Sequence, residues 1–168
     1  KKELLNKLDT LKEEAEQFYD AMRDPKDSTP ISYGLNSQLV KENGKIYENV
    51  YKADGLYGDA IKQIISWLEK ANAVAENDAQ RNYTNLLIEY YKTGDLNTWD
   101  EYNIAWVQDS ASMIDYVNGF IEDYGDPMGM KATWEAVVNF KDLEATKRSS
   151  IISQNAQWFE DNSPVDER

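Results

Sequence analysis

The sequence contains no histidine and no cysteine. Without thiols there is no disulfide framework, and cysteine usage carries no signal about the redox state of the compartment. Without imidazole or thiolate, a transition metal would find only carboxylate oxygens, whereas catalytic zinc ordinarily takes nitrogen ligands. Positive charge is also scarce: eighteen Lys and Arg stand against thirty-one Asp and Glu, a formal net charge of -13. Such a surface repels nucleic acid and anionic membrane and favours neutral or cationic partners. No apolar run approaches the roughly 20 residues that a membrane span requires, and Lys1-Lys2-Glu3 opens a charged helix rather than a signal peptide. Proline and glycine are few, four and eight in 168 residues, so each tends to mark a break in regular structure.

What is present suffices for a packed domain. Hydrophobic residues make up 41% of the chain and aromatics 12%, enough to close a core within one domain, residues 1–168. The pattern predicts an α+β fold, mainly helical, with about five helices packed around a small sheet made of a β-hairpin and two extended segments.

Leu4, Leu8, Leu11, Ala15, Phe18 and Met22 recur at three- and four-residue steps and predict an amphipathic helix from about Lys2 to Arg23, followed by a polar connector to about residue 30. Asn43-Gly44 lies between two alternating runs and predicts a hairpin with strands near Ser37–Lys41 and Lys45–Tyr51. That hairpin either supports a later strand or simply covers hydrophobic surface. Asp59 is expected to cap a helix carrying Ile61, Ile64, Ile65 and Leu68 to about Ala75. Asn77 is expected to cap the next, with Tyr83, Leu87 and Tyr90 inward and Gly94 closing it, the two helices running antiparallel. Trp67, Tyr83, Tyr90 and Tyr91 at helical spacing read as core rather than as a stacking platform. Thr98-Trp99-Asp100-Glu101 reads as a capping box for a helix that turns Trp99, Tyr102, Ala105 and Trp106 inward. Beyond the central strand, Thr133 to Phe140 reads as a second extended segment pairing near it. Asp142 begins a last helix, Leu143 to about Glu160, with Ile152, Ala156 and Phe159 inward.

The central strand is the run Ile114 to Tyr124. Asp115, Tyr116, Asn118 and Glu122 are interleaved there with apolar Ile114, Val117, Phe120 and Ile121, and Gly125-Asp126-Pro127 stops it. Gly119 at its middle marks a bulge, or a place where another main chain or a ligand comes close.

W-V-Q-D from Trp106, N-G-F-I-E-D-Y-G-D-P from Asn118 and W-E-A-V-V-N-F from Trp134 together resemble the substrate-cleft region of the dipeptidyl peptidase III family of zinc metallopeptidases, in its bacterial form. The resemblance runs from about Tyr33 to Val165, through Y-G-L-N-S-Q-L-V, K-I-Y-E-N-V-Y-K-A-D-G-L-Y-G and F-K-D-L-E-A-T, so that residues 31–168 form the family-like region. It implies a parent enzyme that uses zinc-activated water to remove dipeptides from the amino end of oligopeptides. The family chemistry needs a helix bearing H-E-x-x-G-H and a glutamate ligand from a second helix. With no histidine, this chain supplies neither a metal ligand nor a catalytic residue, and zinc is expected in the parent only. The chain is accordingly read as a piece of the parent that precedes the catalytic helix, forms a wall of the cleft and is inactive alone. Its expected partners are the oligopeptide substrate and the remainder of the parent polypeptide, with no nucleic acid and no membrane. The resemblance implies a cytoplasmic location and leaves a periplasmic or exported one open.

Relatives in this family bind the peptide as an added strand, with a carboxylate and a tyrosine near the start of the corresponding strand holding the amino end. Asp115 falls where the family carries glutamate. The family's tyrosine falls on Val117, and Tyr116, one residue earlier, faces the other way because side chains alternate along a strand. The Asn118 amide can both donate and accept. The substrate-binding candidates are therefore Asp115, Asn118, Tyr116 and Gly119; an exposed strand carboxylate with no partner is the plainer account of Asp115. The competing function is a stand-alone, non-enzymatic α+β module that binds peptides or glycans.

Overall fold

A computed structural model describes residues 34–127 and 129–164, together with Asn6, Lys7, Thr10, Glu13 and Gln17 near the amino end. These five are helical, with the Thr10 hydroxyl donating to the Asn6 carbonyl at 3.0 Å. The apolar stripe expected from Leu4 to Met22 and the connector after it lie outside the described residues.

The chain proceeds through β1 (Ser37–Glu42), β2 (Lys45–Val50), α1 (Gly58–Ala73), α2 (Asp78–Thr93), α3 (Leu96–Gln108), β3 (Ile114–Glu122), β4 (Thr133–Phe140), α4 (Leu143–Gln154) and α5 (Ala156–Asp161). The expected mainly helical α+β fold is the one observed. The described strands form two antiparallel pairs, β1 with β2 and β3 with β4, rather than one sheet. Asn43 and Gly44 make the two-residue turn of the first pair, with φ of 51° and 81°. Two positive φ values give the turn a twist that matches its flanking strands, and Asn-Gly adopts them at least cost.

The helix ends show where local sequence rules compete. Asn77 caps α2 as expected, its side chain accepting from the Gln80 amide, and Gly94 closes the helix in the left-handed region at φ 73°. Asp59, by contrast, is not a cap: α1 begins at Gly58, Tyr57 occupies the cap position without a side-chain bond, and the helix stops at Ala73. Asp59 sits inside the first turn, where its charge still favours the positive end of the helix dipole. The Thr98 capping box also gives way. Asp95, directly after the Gly94 break, accepts from the Asn97 amide and starts α3 at Leu96. An Asp that comes first and is at least as good a cap leaves Thr98 within the first turn.

The core lies where α1, α2 and α3 meet β3. Ile61, Ile65 and Leu68 of α1 pack with Tyr83, Leu87, Tyr90 and Tyr91 of α2, Tyr102 of α3 and Phe120 of β3. Trp99, Ala105 and Trp106 pack against this cluster, so α3 buries the face expected of it. Burial pushes the phenols of Tyr83, Tyr90, Tyr91 and Tyr102 up, because an ionised phenol loses its hydration there. Trp67 does not join the core: it is 68% exposed, with the Lys70 ammonium 3.9 Å over its ring.

Neither strand of the hairpin packs on β3 or β4 directly; the residues that flank the hairpin reach that sheet. Tyr51, directly after β2, places its ring 4.9 Å from that of Phe120, and the Ala132 amide donates to the Leu35 carbonyl at 3.0 Å. The expected last helix is in fact two. At Asn155 the backbone leaves helical geometry, with φ −106° and ψ 15°, while its side chain donates to the Ile151 carbonyl. A side chain that engages the backbone in this way competes with helix propagation. Ile152, Ala156 and Phe159 are exposed rather than inward, and nothing among the described residues covers them.

Candidate functional site

The start of β3 is held from three sides, and each hold comes from an identifiable residue. Asp109 follows α3 and accepts from the Ala111 and Ser112 amides, and also from the Ser112 hydroxyl. The Asn77 side chain then donates to Ser112 at 2.8 Å, which joins the start of α2 to the loop before β3. Glu76 completes the arrangement. Its carboxylate accepts from the Met113 and Ile114 amides at 2.8 and 2.9 Å, while Gln80 donates to the Ile114 carbonyl at 2.9 Å. The Met113 amide, then that of Ile114, hold the Glu76 carboxyl below the usual carboxylate range. Desolvation raises the Asp109 carboxyl, but the Ser112 and Ala111 donors outweigh it and the net direction is also down.

The sign for stability follows. A carboxylate favoured by the fold contributes its stability above the pH at which free glutamate titrates, about 4.3, and loses it as acid protonates the folded chain. Glu76→Gln removes that titration, so the fall in thermal midpoint between about pH 5 and pH 3 should be shallower than in the parent sequence. An unchanged acid slope in thermal melts would assign the loss to other carboxylates.

Past this clamp the strand alternates between two helices. Asp115 is half-buried and accepts from the Trp106 indole N–H at 2.7 Å. Gly119, on the same side, lies against the Trp99 ring. What comes close at Gly119 is thus an indole side chain from α3 rather than a main chain or a ligand, and the bulge in β3 falls later, between Phe120 and Glu122. Tyr116 and Asn118 turn the other way, towards α2. The Tyr116 hydroxyl pairs with that of Thr84, and burial pushes its phenol up against the opposing hydrogen bond with Thr84. Asn118 accepts from the Tyr91 hydroxyl at 2.7 Å, and Tyr91 in turn accepts from the Trp134 indole at 2.8 Å. The four candidates thus lie on one strand but not on one surface.

Tyr116 and Asn118 also line a groove of about 1020 Å³ between α1 and the β3–β4 sheet, with Ile64, Trp67, Phe120 and Trp134 among its walls. Lys131 lines it, and none of its lining residues among those described is acidic. Asp115 stands outside it. One Asp115 oxygen is engaged by Trp106, while the other accepts no hydrogen bond among the described residues and is not enclosed. A carboxylate in that state can receive a cation. No nucleophile and base are paired here, and among the described residues no group of three or more potential ligands is placed to hold a metal. No described helix is long and apolar enough to cross a membrane.

The sequence singles out Asp115 as a candidate without showing what holds it. Helical spacing marks Trp106 and Tyr91 as core residues and gives Glu76 no role. The only available signal was position: Glu76 abuts the Asn77 cap, and Trp106 ends the helix that delivers β3.

Comparison with known proteins gives a consistent answer. The model of peptidase family M49 matches residues 12–167. Dipeptidyl peptidase 3 of Dictyostelium discoideum is 26% identical over 119 residues, covering 69% of this chain and 17% of that protein. Dipeptidyl peptidase 3 of Rattus norvegicus is 32% identical over 102 residues, covering 59% of this chain and 14% of that protein. The structure of DPP III from Caldithrix abyssi superposes with a TM-score of 0.62 at 23% identity, over 80% of this chain and 25% of that one. This chain therefore spans less than a fifth of the length of those curated relatives. A family model matched across nearly the whole chain, with the same fold found in a solved relative, establishes that the chain belongs to peptidase family M49, the dipeptidyl peptidase III family.

Proposed function

We propose that this chain forms part of the substrate-binding cleft of a longer zinc-dependent dipeptidyl peptidase, which releases dipeptides from the amino end of oligopeptides. Asp115 receives the peptide's terminal ammonium, with Asn118, Tyr116 and Gly119 as the further candidates on the same strand. The observation that carries this reading is the state of Asp115: half-buried at the start of β3, one oxygen oriented by Trp106 and the other open. A cationic end fits a carboxylate so presented, and a charge-assisted hydrogen bond is stronger than a neutral one. The strongly acidic surface, net charge -13, favours approach of the same cation.

The residues of this chain do not fit a catalytic zinc site, because the sequence offers neither histidine nor cysteine. Zinc and its ligands belong to the rest of the parent polypeptide, and this part acts by binding and orienting the peptide. It is a non-catalytic domain and inactive when isolated.

The test is Asp115→Ala in the full-length enzyme, assayed on dipeptidyl substrates. Loss of a charged hydrogen-bond partner worth about 1.5–2 kcal/mol should raise KM about ten- to thirtyfold. Zinc content should be unchanged. Asp115→Asn keeps an oxygen for the indole and removes only the charge, so it should retain most of the defect. Unchanged KM in both variants would remove Asp115 from the site.

A further inference from the structure

From the bonds at the start of β3 we infer that Glu76 is a positioning residue for the peptide: it acts through Asp115, by fixing the main chain from which that carboxylate projects. This rests on the assignment of Asp115 to the peptide's ammonium. Among the described residues β3 has a neighbouring strand on one edge only, β4. The Met113 carbonyl accepts from the Lys141 amide at 2.8 Å and so faces β4. Edge directions alternate along an antiparallel strand, which turns the N–H and C=O of Ile114 to the other edge. There Glu76 accepts from the N–H and Gln80 donates to the C=O, each at 2.9 Å. Two side chains thus stand where a strand would. The Ile114 carbonyl belongs to the same planar peptide unit as the Asp115 amide, so the hold carries directly to Asp115.

Glu76 is itself fixed. Its main-chain N–H donates to Gln80 Oε1 at 2.6 Å while Gln80 Nε2 serves Ile114, so one buried side chain ties Glu76 to the strand it grips. Its second oxygen accepts from the Met113 amide at 2.8 Å. Successive amides of an extended chain point opposite ways; here one carboxylate takes two of them, and the chain bends at Met113 as it enters β3. Both bonds are charge-assisted and therefore stronger than neutral ones. The grip comes from α2 and the residue before its cap, so Asp115 is placed relative to the helical core as well as to β4. An anchor placed before the ligand arrives gives up less freedom on binding, which strengthens binding without any new contact.

A carboxylate that merely closes the start of a strand would make the same bonds, so the test separates placement from stability. In the full-length enzyme Glu76→Ala should raise KM for dipeptidyl substrates about three- to tenfold, with kcat within about twofold of the parent enzyme. Introduced into Asp115→Ala, it should leave KM where that variant already has it, because the group it places is gone. Thermal midpoints should behave differently: the two side chains share no partner, so their losses should add. Should Glu76→Ala fold poorly, Glu76→Gln keeps an oxygen for one of the two amides, and a KM rise of about two- to fivefold with the same dependence on Asp115 is expected. A lowered midpoint with KM unchanged in both Glu76 variants, or KM effects that multiply in the double variant, would make Glu76 structural only and overturn the inference. If Asp115→Ala itself leaves KM unchanged, the assignment of Asp115 fails and this inference falls with it.

Discussion

Gly119→Ala is expected to lower stability although alanine ordinarily suits a strand at least as well as glycine. A Cβ at this position would stand 2.5 Å from Cη2 and 2.8 Å from Cζ3 of Trp99. Those atoms are the edge of a rigid bicycle, and two tyrosine rings limit its retreat. Its centroid lies 4.9 Å from that of Tyr90 and 5.1 Å from that of Tyr102, and both tyrosines are fully buried. Overpacking of this sort costs about 1–3 kcal/mol, and the alanine's smaller unfolded-state entropy returns about 0.4–1 kcal/mol. The net expectation is a loss of about 1 kcal/mol in urea unfolding, with an unchanged denaturant slope. Trp99→Leu introduced together with it should recover part of that loss, since the two substitutions share one contact. A Gly119→Ala chain as stable as the parent would mean that the indole swings aside freely, and the packing account of this glycine would be wrong.

A second contrast concerns two phenols in the same core. Tyr91 donates to Asn118 and accepts from Trp134, so Tyr91→Phe leaves an amide oxygen and an indole N–H without their partner. An unsatisfied buried group costs about 1–3 kcal/mol. Asn118 is only half-buried and Trp134 is 44% exposed, so water relieves part of this, and about 2 kcal/mol is expected in all. Tyr102 is as deeply buried, yet its hydroxyl has no hydrogen-bond partner among the described residues. Tyr102→Phe removes a polar atom that already bears its desolvation uncompensated, and is expected to be neutral or stabilising by about 1 kcal/mol. Equilibrium unfolding of the two variants side by side decides the matter. Equal losses would show that burial of the ring, not the bonding of the hydroxyl, sets the effect.

Much of this fold was legible because its signals are local. Asn43-Gly44 specified its turn, Asn77 and Gly94 bracketed α2, and Thr133 to Phe140 was read to the residue. Where two local signals compete, the earlier one prevails: Asp95 outranks Thr98 as a cap, and a helix entry at Gly58 precedes Asp59. The break at Asn155 was hidden because Asn is tolerated in helices when packing favours them, and here no packing does. Trp67 illustrates the same point from the other side. Helical spacing shows which residues share a face, while the packing of other elements decides whether that face is covered.

The candidate site was legible only in part, and for a related reason. Asp115 was reached through the family likeness, but its bond to Trp106 joins a helix end to a strand across an intervening loop. Glu76 meets Met113 and Ile114 across a still longer separation. Bonds between distant elements leave no periodic trace in the sequence. That β3 would carry two of its candidates on one side and two on the other does follow from strand alternation; that two different helices would then claim them does not.

The α4–α5 segment has a consequence for how solutions of this chain behave. Ile151, Ile152, Trp158 and Phe159 are each at least half exposed, with the last two rings 5.3 Å apart. An apolar face of this kind draws molecules together, while a net charge of -13 holds them apart. The repulsion reaches only about 8–10 Å at moderate ionic strength and shrinks further as salt is added. Dilute buffer should therefore keep the chain dispersed and concentrated salt should cluster it, so that ionic strength, more than temperature, governs its colloidal state.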